Sequence, residues 1–296
     1  MKIGCHVSNK SPEMLLGSVR EALSYGATAM MVYLGPPQNS FRKPISSLRV
    51  EEARQLALDG GIDPADIVVH APYILNLAQE DESHRRFAID FMINEVNDTG
   101  IIGARNYVFH PGSRLHLSPQ EGLEKIARAL REIIDRTEGS GVDLVVETMS
   151  GKGTECGRDF EEIAFLLKAV DSPRLKVCLD TCHVHDAGYD LVSGYEETLS
   201  AFDRIIGFDR LAVIHINDSK NERGARKDRH ENIGCGKIGF STLARIASDE
   251  RFKDKPKILE TPYVKTGEME TSPYREEIAM LRAGSFHDFI CELKKG

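Results

Sequence analysis

Six apolar runs in this sequence are each followed at once by a side chain able to bind a metal. Val68-Val69 leads into His70, Val108-Phe109 into His110 and Val145-Val146 into Glu147; Cys178-Leu179 leads into Asp180, Val213-Ile214 into His215 and Ile258-Leu259 into Glu260. Consecutive members of the set lie 33 to 45 residues apart. Imidazole and carboxylate together are the donor set of zinc and its transition-metal neighbours. Burying such groups costs free energy unless they are neutralised, hydrogen-bonded or held by cations. One strand-end histidine is readily a satisfied structural residue; six strand ends in succession are not. Asp180-Thr181-Cys182-His183 sets a second candidate three residues beyond the first. In a continuing strand the two would face opposite ways, so the chain must turn after Asp180 to bring His183 to the same place. In Asp228-Arg229-His230 the first and third residues share a face if the segment is extended. His183, Asp228 and His230 then form a three-ligand set apart from the strand-end set. Nine candidates exceed the four or five that one zinc accepts; three ions and a bridging carboxylate use them all. Three divalent ions would move the formal net charge from −8 to −2, and such a cluster suits a phosphodiester, whose attack and departure both need charge neutralised.

The elements that must gather these residues can be read from hydrophobic period. Lys2 to Gly4, Ala29 to Tyr33, Ile67 to Val69, Tyr107 to Phe109, Asp143 to Val146, Lys176 to Leu179, Leu211 to Ile214 and Lys257 to Leu259 are too short for helices and suit strands buried on both faces. Helical period runs through Met14 to Tyr25, Glu82 to Asn97, Pro119 to Arg136, Asp159 to Val170, Tyr195 to Ile206 and Pro273 to Arg282. Ser118-Pro119-Gln120-Glu121 reads as a capping box with proline at the first helical position, and Ser272-Pro273 repeats the cap-then-proline pattern. Turns at Gly26, Gly103 and Gly141 then lead into the next strand. Strand, helix, glycine turn and strand in eight-fold succession predict a single-domain (β/α)8 barrel over residues 1–296, with its chemistry on the rim at the strands' C-terminal ends. An open doubly wound sheet is disfavoured, because no glycine-rich phosphate turn follows the first strand.

Composition sets the remaining bounds. At 41% hydrophobic and 28% charged, 296 residues are ample for one large core. No stretch of about 18 apolar residues is present to span a membrane, and Met1-Lys2-Ile3-Gly4-Cys5-His6 turns polar too early for a secretory signal. A cytoplasmic protein without a membrane partner is expected. Six scattered cysteines read as reduced, mostly buried thiols rather than staples, with Cys182 set apart by its place in the Asp180–His183 run. His84, His116 and His287 read as surface residues.

Gly4-Cys5-His6-Val7-Ser8, His70-Ala71-Pro72-Tyr73, His110-Pro111-Gly112, Asp180-Thr181-Cys182-His183, His215-Ile216-Asn217-Asp218-Ser219-Lys220, Asp228 to Gly234 and Glu260-Thr261-Pro262 together resemble the endonuclease IV family of apurinic/apyrimidinic endonucleases. The match runs through nearly the whole chain in the family's order. The resemblance implies a DNA-repair enzyme with three Zn2+ per chain, Mn2+ or Fe2+ being able to replace zinc at one or more sites. It implies cleavage of duplex DNA 5′ to an abasic site, leaving a 3′-hydroxyl and a 5′-deoxyribose phosphate, with a second activity on blocked 3′ ends. By motif, His70, His110 and Glu147 hold one zinc; Glu147, Asp180, His215 and Glu260 hold the second; His183, Asp228 and His230 hold the third. A hydroxide shared between metals is then the expected nucleophile, with Glu260 and Glu147 as the catalytic carboxylates. Gln38 and Tyr73-Ile74 lie on the loops that the family inserts into the duplex, an apolar wedge being a known means of kinking DNA. His6, Lys220 and Arg229 complete the expected DNA contacts, and a monomer is expected. The Gln38 loop departs from relatives in having no basic residue before Arg42, and the run after Glu147, Thr148 to Gly153, is a variant. Two other readings stay open: a metal-dependent sugar isomerase or epimerase, which leaves His183, Asp228 and His230 without a task, and a protein that grips abasic DNA without cutting it.

Overall fold

All eight Val- and Ile-rich runs form strands, and in the computed structural model, which describes residues 1–293, they close into one parallel ring. The barrel strands are β1 (Ile3–His6), β2 (Ala29–Val32), β3 (Ile67–His70), β4 (Asn106–Phe109), β5 (Asp143–Glu147), β6 (Leu175–Asp180) and β7 (Leu211–His215). Two short strands, β8 (Asp218–Ser219) and β9 (His230–Glu231), intervene before the last one, β10 (Lys257–Leu259). Neighbours follow chain order from β1 to β7, then β10, which pairs back onto β1. A hairpin of β11 (Val264–Thr266) and β12 (Met269–Thr271) follows. The helices outside the ring are α1 (Met14–Ser24), α2 (Val50–Asp59), α3 (Glu82–Ile102), α4 (Pro119–Arg136), α5 (Phe160–Val170), α6 (Thr181–Ala187), α7 (Tyr195–Ile205), α8 (Phe240–Ser248), α9 (Tyr274–Ala283) and α10 (Phe289–Leu293).

Local chemistry explains most of these boundaries. Ser118 accepts from the Glu121 N–H while Glu121 reaches back to Ser118, so the capping box of α4 forms as expected. The pattern is shifted at α9. Pro273 already has helical dihedrals (φ −83°, ψ −14°) and takes the cap position itself, while the Ser272 hydroxyl one residue earlier accepts a long bond from the Tyr274 N–H (3.5 Å). The turn expected after Asp180 is the start of α6, capped by Asp180 Oδ1 accepting from His183 N–H at 2.8 Å.

The inside of the ring decides where the chemistry goes. Val68, Val108, Val145, Cys178, Val213 and Ile258 pack together in its interior with Ala29 and Met31. A strand alternates faces with period two. Two residues beyond each of those six therefore stands an inward side chain at the C-terminal mouth: His70, His110, Glu147, Asp180, His215 and Glu260. The same step on β1 and β2 gives His6 and Tyr33.

Candidate metal centre

Glu147 is the hub. Fully buried, its carboxylate lies 3.1 Å from His70 Nε2, 3.2 Å from His110 Nε2, 3.0 Å from His215 Nδ1 and 3.4 Å from His183 Nδ1. Glu260 Oε2 approaches the same His215 nitrogen at 3.0 Å. His183 Nε2 lies 3.1 Å from Asp228 Oδ1, and His230 Nε2 lies 3.6 Å from that oxygen and 3.8 Å from Asp180 Oδ2. The nine candidate side chains thus meet in three groups whose donor atoms lie within 4.8 Å of one another: His70, His110 and Glu147; Glu147, Asp180, His215 and Glu260; His183, Asp228 and His230. Cys178 joins Glu147 and His215 in a further such group, and Cys182 joins Asp180 and His230. Neither cysteine is paired to another.

Three observations make this arrangement fit cations. His70 Nδ1–H donates to the Ala71 carbonyl (2.7 Å), His183 Nδ1–H to the Thr148 carbonyl (2.8 Å) and His230 Nδ1–H to the Glu260 carbonyl (3.2 Å). Each bond fixes a tautomer whose other nitrogen offers a lone pair to the cluster, the usual arrangement behind a ligating histidine. His230 Nε2 is buried with no hydrogen-bond partner. Finally, the ion-pair partners of Glu147, Asp180, Asp228 and Glu260 are imidazoles alone among the described residues. Burial works against every charge here, yet the net shifts go the other way. His215 and His110 hold Glu147 well below the usual carboxylate range, His183 beside Asp228 brings that carboxyl down to about 2, and Asp180 with Asp228 raises His183 well above an ordinary imidazole. Protons on His110, His183 and His215 supply positive charge that metal ions would otherwise bring, so a metal bound here would displace protons.

The loop geometry differs from expectation at one place. Asp228 has φ 55° and Arg226 φ 53°, both left-handed, so the Asp228–His230 segment is not extended throughout. The two side chains still meet, because β9 places His230 while the left-handed turn swings Asp228 toward His183.

Four of the six expected DNA contacts divide between two hollows beside the centre. His6 and Gln38 line an open cavity of about 490 Å³ with Asn9, Tyr33 and Tyr263. Tyr73 and Ile74, both exposed, line one of about 210 Å³ with His110. Lys220 and Arg229 are exposed, and their backbones pair (N–H to carbonyl, 3.0 Å) across the loop that carries Asp228. Arg42 is not available to a ligand: its guanidinium pairs with buried Glu95 and stacks 4.8 Å over Phe91. His84, His116 and His287 are exposed, as expected.

Sequence reasoning passed over Tyr33 and Asn217. Tyr33 packs edge-on to His6 (5.0 Å) and tilted against His70 (5.2 Å), and the period-two step from Met31 would have found it. Asn217 donates to Asp180 Oδ2 (2.7 Å) and accepts from Glu260 N–H (2.8 Å), tying two candidate ligands together. Its place directly after His215-Ile216 was the only sequence signal.

Residues 19–284 match the family model described as xylose isomerase-like TIM barrel. The chain is 49% identical to "Probable endonuclease 4" of Acholeplasma laidlawii, covering 95% of this chain and 94% of the relative, and 47% identical to "Probable endonuclease 4" of Bacillus subtilis, covering 99% and 98%. The crystal structure of endonuclease IV from Thermus thermophilus superposes with a TM-score of 0.80 at 33% identity, over 96% of this chain and 98% of that one. A D-tagatose 3-epimerase-like protein also superposes (TM-score 0.71, 20% identity, 100% of this chain and 98% of that one), a likeness of fold alone. With full-length relatives at nearly half identity and the barrel mouth built as described, the chain belongs to the endonuclease IV family.

Proposed function

We propose that the chain is a metal-dependent phosphodiesterase of DNA repair. It hydrolyses duplex DNA 5′ to an abasic site, leaving a 3′-hydroxyl and a 5′-deoxyribose phosphate, and clears blocked 3′ ends as a second activity. It acts as a monomer in the cytoplasm. The observation carrying this reading is the third ligand group: His183, Asp228 and His230 converge beside a hub already served by six strands, which a sugar epimerase would not require. His70, His110 and Glu147 would hold one zinc, Glu147 with Asp180, His215 and Glu260 a second, and His183, Asp228 and His230 a third, with Mn2+ or Fe2+ able to substitute. When bound, such ions supply a hydroxide at neutral pH and neutralise charge on the attacking and leaving oxygens.

The chain's own residues do the rest. Glu260 is the carboxylate suited to orienting water and taking its proton, since its side chain is 18% exposed whereas that of Glu147 is 1% exposed. Asn217 aims it through the Glu260 N–H. An abasic nucleotide has no base stacking to lose, so extruding it costs less than flipping a normal one. The cavity between His6, Tyr33 and Gln38 would receive the bare sugar, while Tyr73 and Ile74 wedge the opened stack. Lys220 and Arg229 would meet flanking phosphates.

The test is a duplex with one tetrahydrofuran abasic analogue, which cannot undergo β-elimination, so that any cut is hydrolytic. A single chelator-sensitive incision is expected, restored by zinc. A duplex left intact under every metal condition would overturn the assignment.

A further inference from the structure

Loop residues 219–228 carry two non-glycine residues in left-handed conformation, Arg226 and Asp228, and something must hold them there. That something is a buried carboxylate outside the nine ligands. Asp186, next to last in α6, is fully buried. Its Oδ2 accepts from the backbone N–H groups of Asp228 (2.9 Å) and Lys227 (3.3 Å) and from Asn221 Nδ2 (2.8 Å); its Oδ1 accepts from Ser219 Oγ (2.6 Å). Its own carbonyl accepts from Arg226 N–H (2.9 Å). Every donor is neutral, so the carboxylate's charge is spent on ordering loop backbone rather than on an ion pair.

The geometry matters because α6 opens on Asp180 and carries His183, while the Asp186 side chain grips the N–H of Asp228. Less than one turn of helix, from His183 to Asp186, therefore fixes His183 and Asp228 relative to each other, although 45 residues separate them in sequence. We propose that Asp186 is a positioning residue for the third ligand group, pre-setting Asp228 against His183 and His230 so that this group can hold its ion. The inference rests on the proposed three-metal reading and deepens it: the third ion's retention depends on a residue that never touches it.

The experiment compares wild type, Asp186→Asn and Glu95→Gln by zinc content per chain after dialysis, by zinc competition against a chromophoric chelator, and by steady-state cleavage of the tetrahydrofuran duplex. Asparagine keeps the shape, but turns an N–H pair toward donors that need an acceptor. Glu95→Gln removes a different fully buried carboxylate remote from the ligands and serves as the control for merely losing one. We expect Asp186→Asn to retain two zinc ions with wild-type affinity and to bind the third at least tenfold more weakly. Its kcat should fall more than tenfold with KM within threefold, and added zinc should restore much of that kcat. Glu95→Gln should keep three ions. The proposal is overturned if Asp186→Asn holds three ions as tightly as wild type, or if it loses all of them together, as a misfolded barrel would. A wild-type chain that holds three ions but does not cut the duplex defeats the nuclease reading and leaves the zinc comparison standing; one that never exceeds two ions removes the third group itself.

Discussion

At the scale of single residues, the two central glutamates divide by their surroundings. Glu147 is closed off by four imidazoles, while Glu260 faces one imidazole and is partly open to the mouth. A group that transfers a proton in the reaction contributes about 10²–10⁴-fold to rate without being needed to hold substrate. Glu260→Gln should therefore lower single-turnover cleavage of an abasic duplex by about 10³-fold while its dissociation constant for that duplex moves less than threefold, as followed by fluorescence anisotropy. Equal losses in binding and turnover would assign Glu260 to substrate binding instead. The candidate ligands were legible in sequence because each strand of a closed barrel presents one inward residue at its mouth, and here seven of those eight are His, Asp or Glu. Tyr33 sits in the same layer, but a phenol with no charge gave no signal. Asp186 and Asn217 were illegible for another reason: Asp186 serves a loop whose path no periodicity encodes, and Asn217 joins Asp180 to the Glu260 N–H across elements far apart in sequence.

Elements add constraints that no single ligand shows. β1 and β2 approach so closely at Gly4 that a Cβ there would lie 1.7 Å from the Ala29 carbonyl oxygen, which is backbone and cannot yield cheaply. Gly4→Ala should destabilise the fold by about 2 kcal/mol or more, as overpacking does, read as a lowered denaturant midpoint; an unchanged midpoint would mean the barrel seam breathes. Glu277 on α9 accepts from Thr261 Oγ1, Ile233 N–H (2.9 Å) and Asn232 Nδ2 (3.1 Å), stapling the segments that follow Glu260 and His230. Burial pushes its carboxyl up to about 7, the three donors only partly opposing this. Because the folded value lies above the ordinary one, this group's contribution is complete below about pH 4.5 and is lost as pH rises through about 7, a difference of about 3 kcal/mol. Glutamine imitates the protonated acid at every pH. The stability of Glu277→Gln should match wild type near pH 5 and exceed it near pH 8.5; parallel stability curves would show that the carboxyl titrates normally. Strands and long helices were readable from period alone, whereas α6, with seven residues wedged behind Asp180, is too short to show one.

For the molecule as a whole, the difficulty is charge. Under the proposed function a chain at −8 has to bind a polyanion, and exposed cations such as Lys220 and Arg229 do not reverse that balance. Three divalent ions at the mouth would place the largest positive charges in the molecule where the scissile phosphate must sit. Metal should therefore govern encounter with DNA as well as chemistry. The metal-loaded Glu260→Gln protein, which should bind without cutting, allows this to be measured. Its affinity for the abasic duplex should fall at least tenfold when the ions are stripped at 50 mM salt. That gap should narrow at 200 mM, because the screening length shortens from well above to below about 10 Å. A gap of the same size at both salt concentrations would mean that stripping acts by disordering the Asp228 loop rather than by removing the field. No gap at all would mean that DNA is gripped by the outer loops alone, and that the acidic chain solves its charge problem elsewhere on its surface.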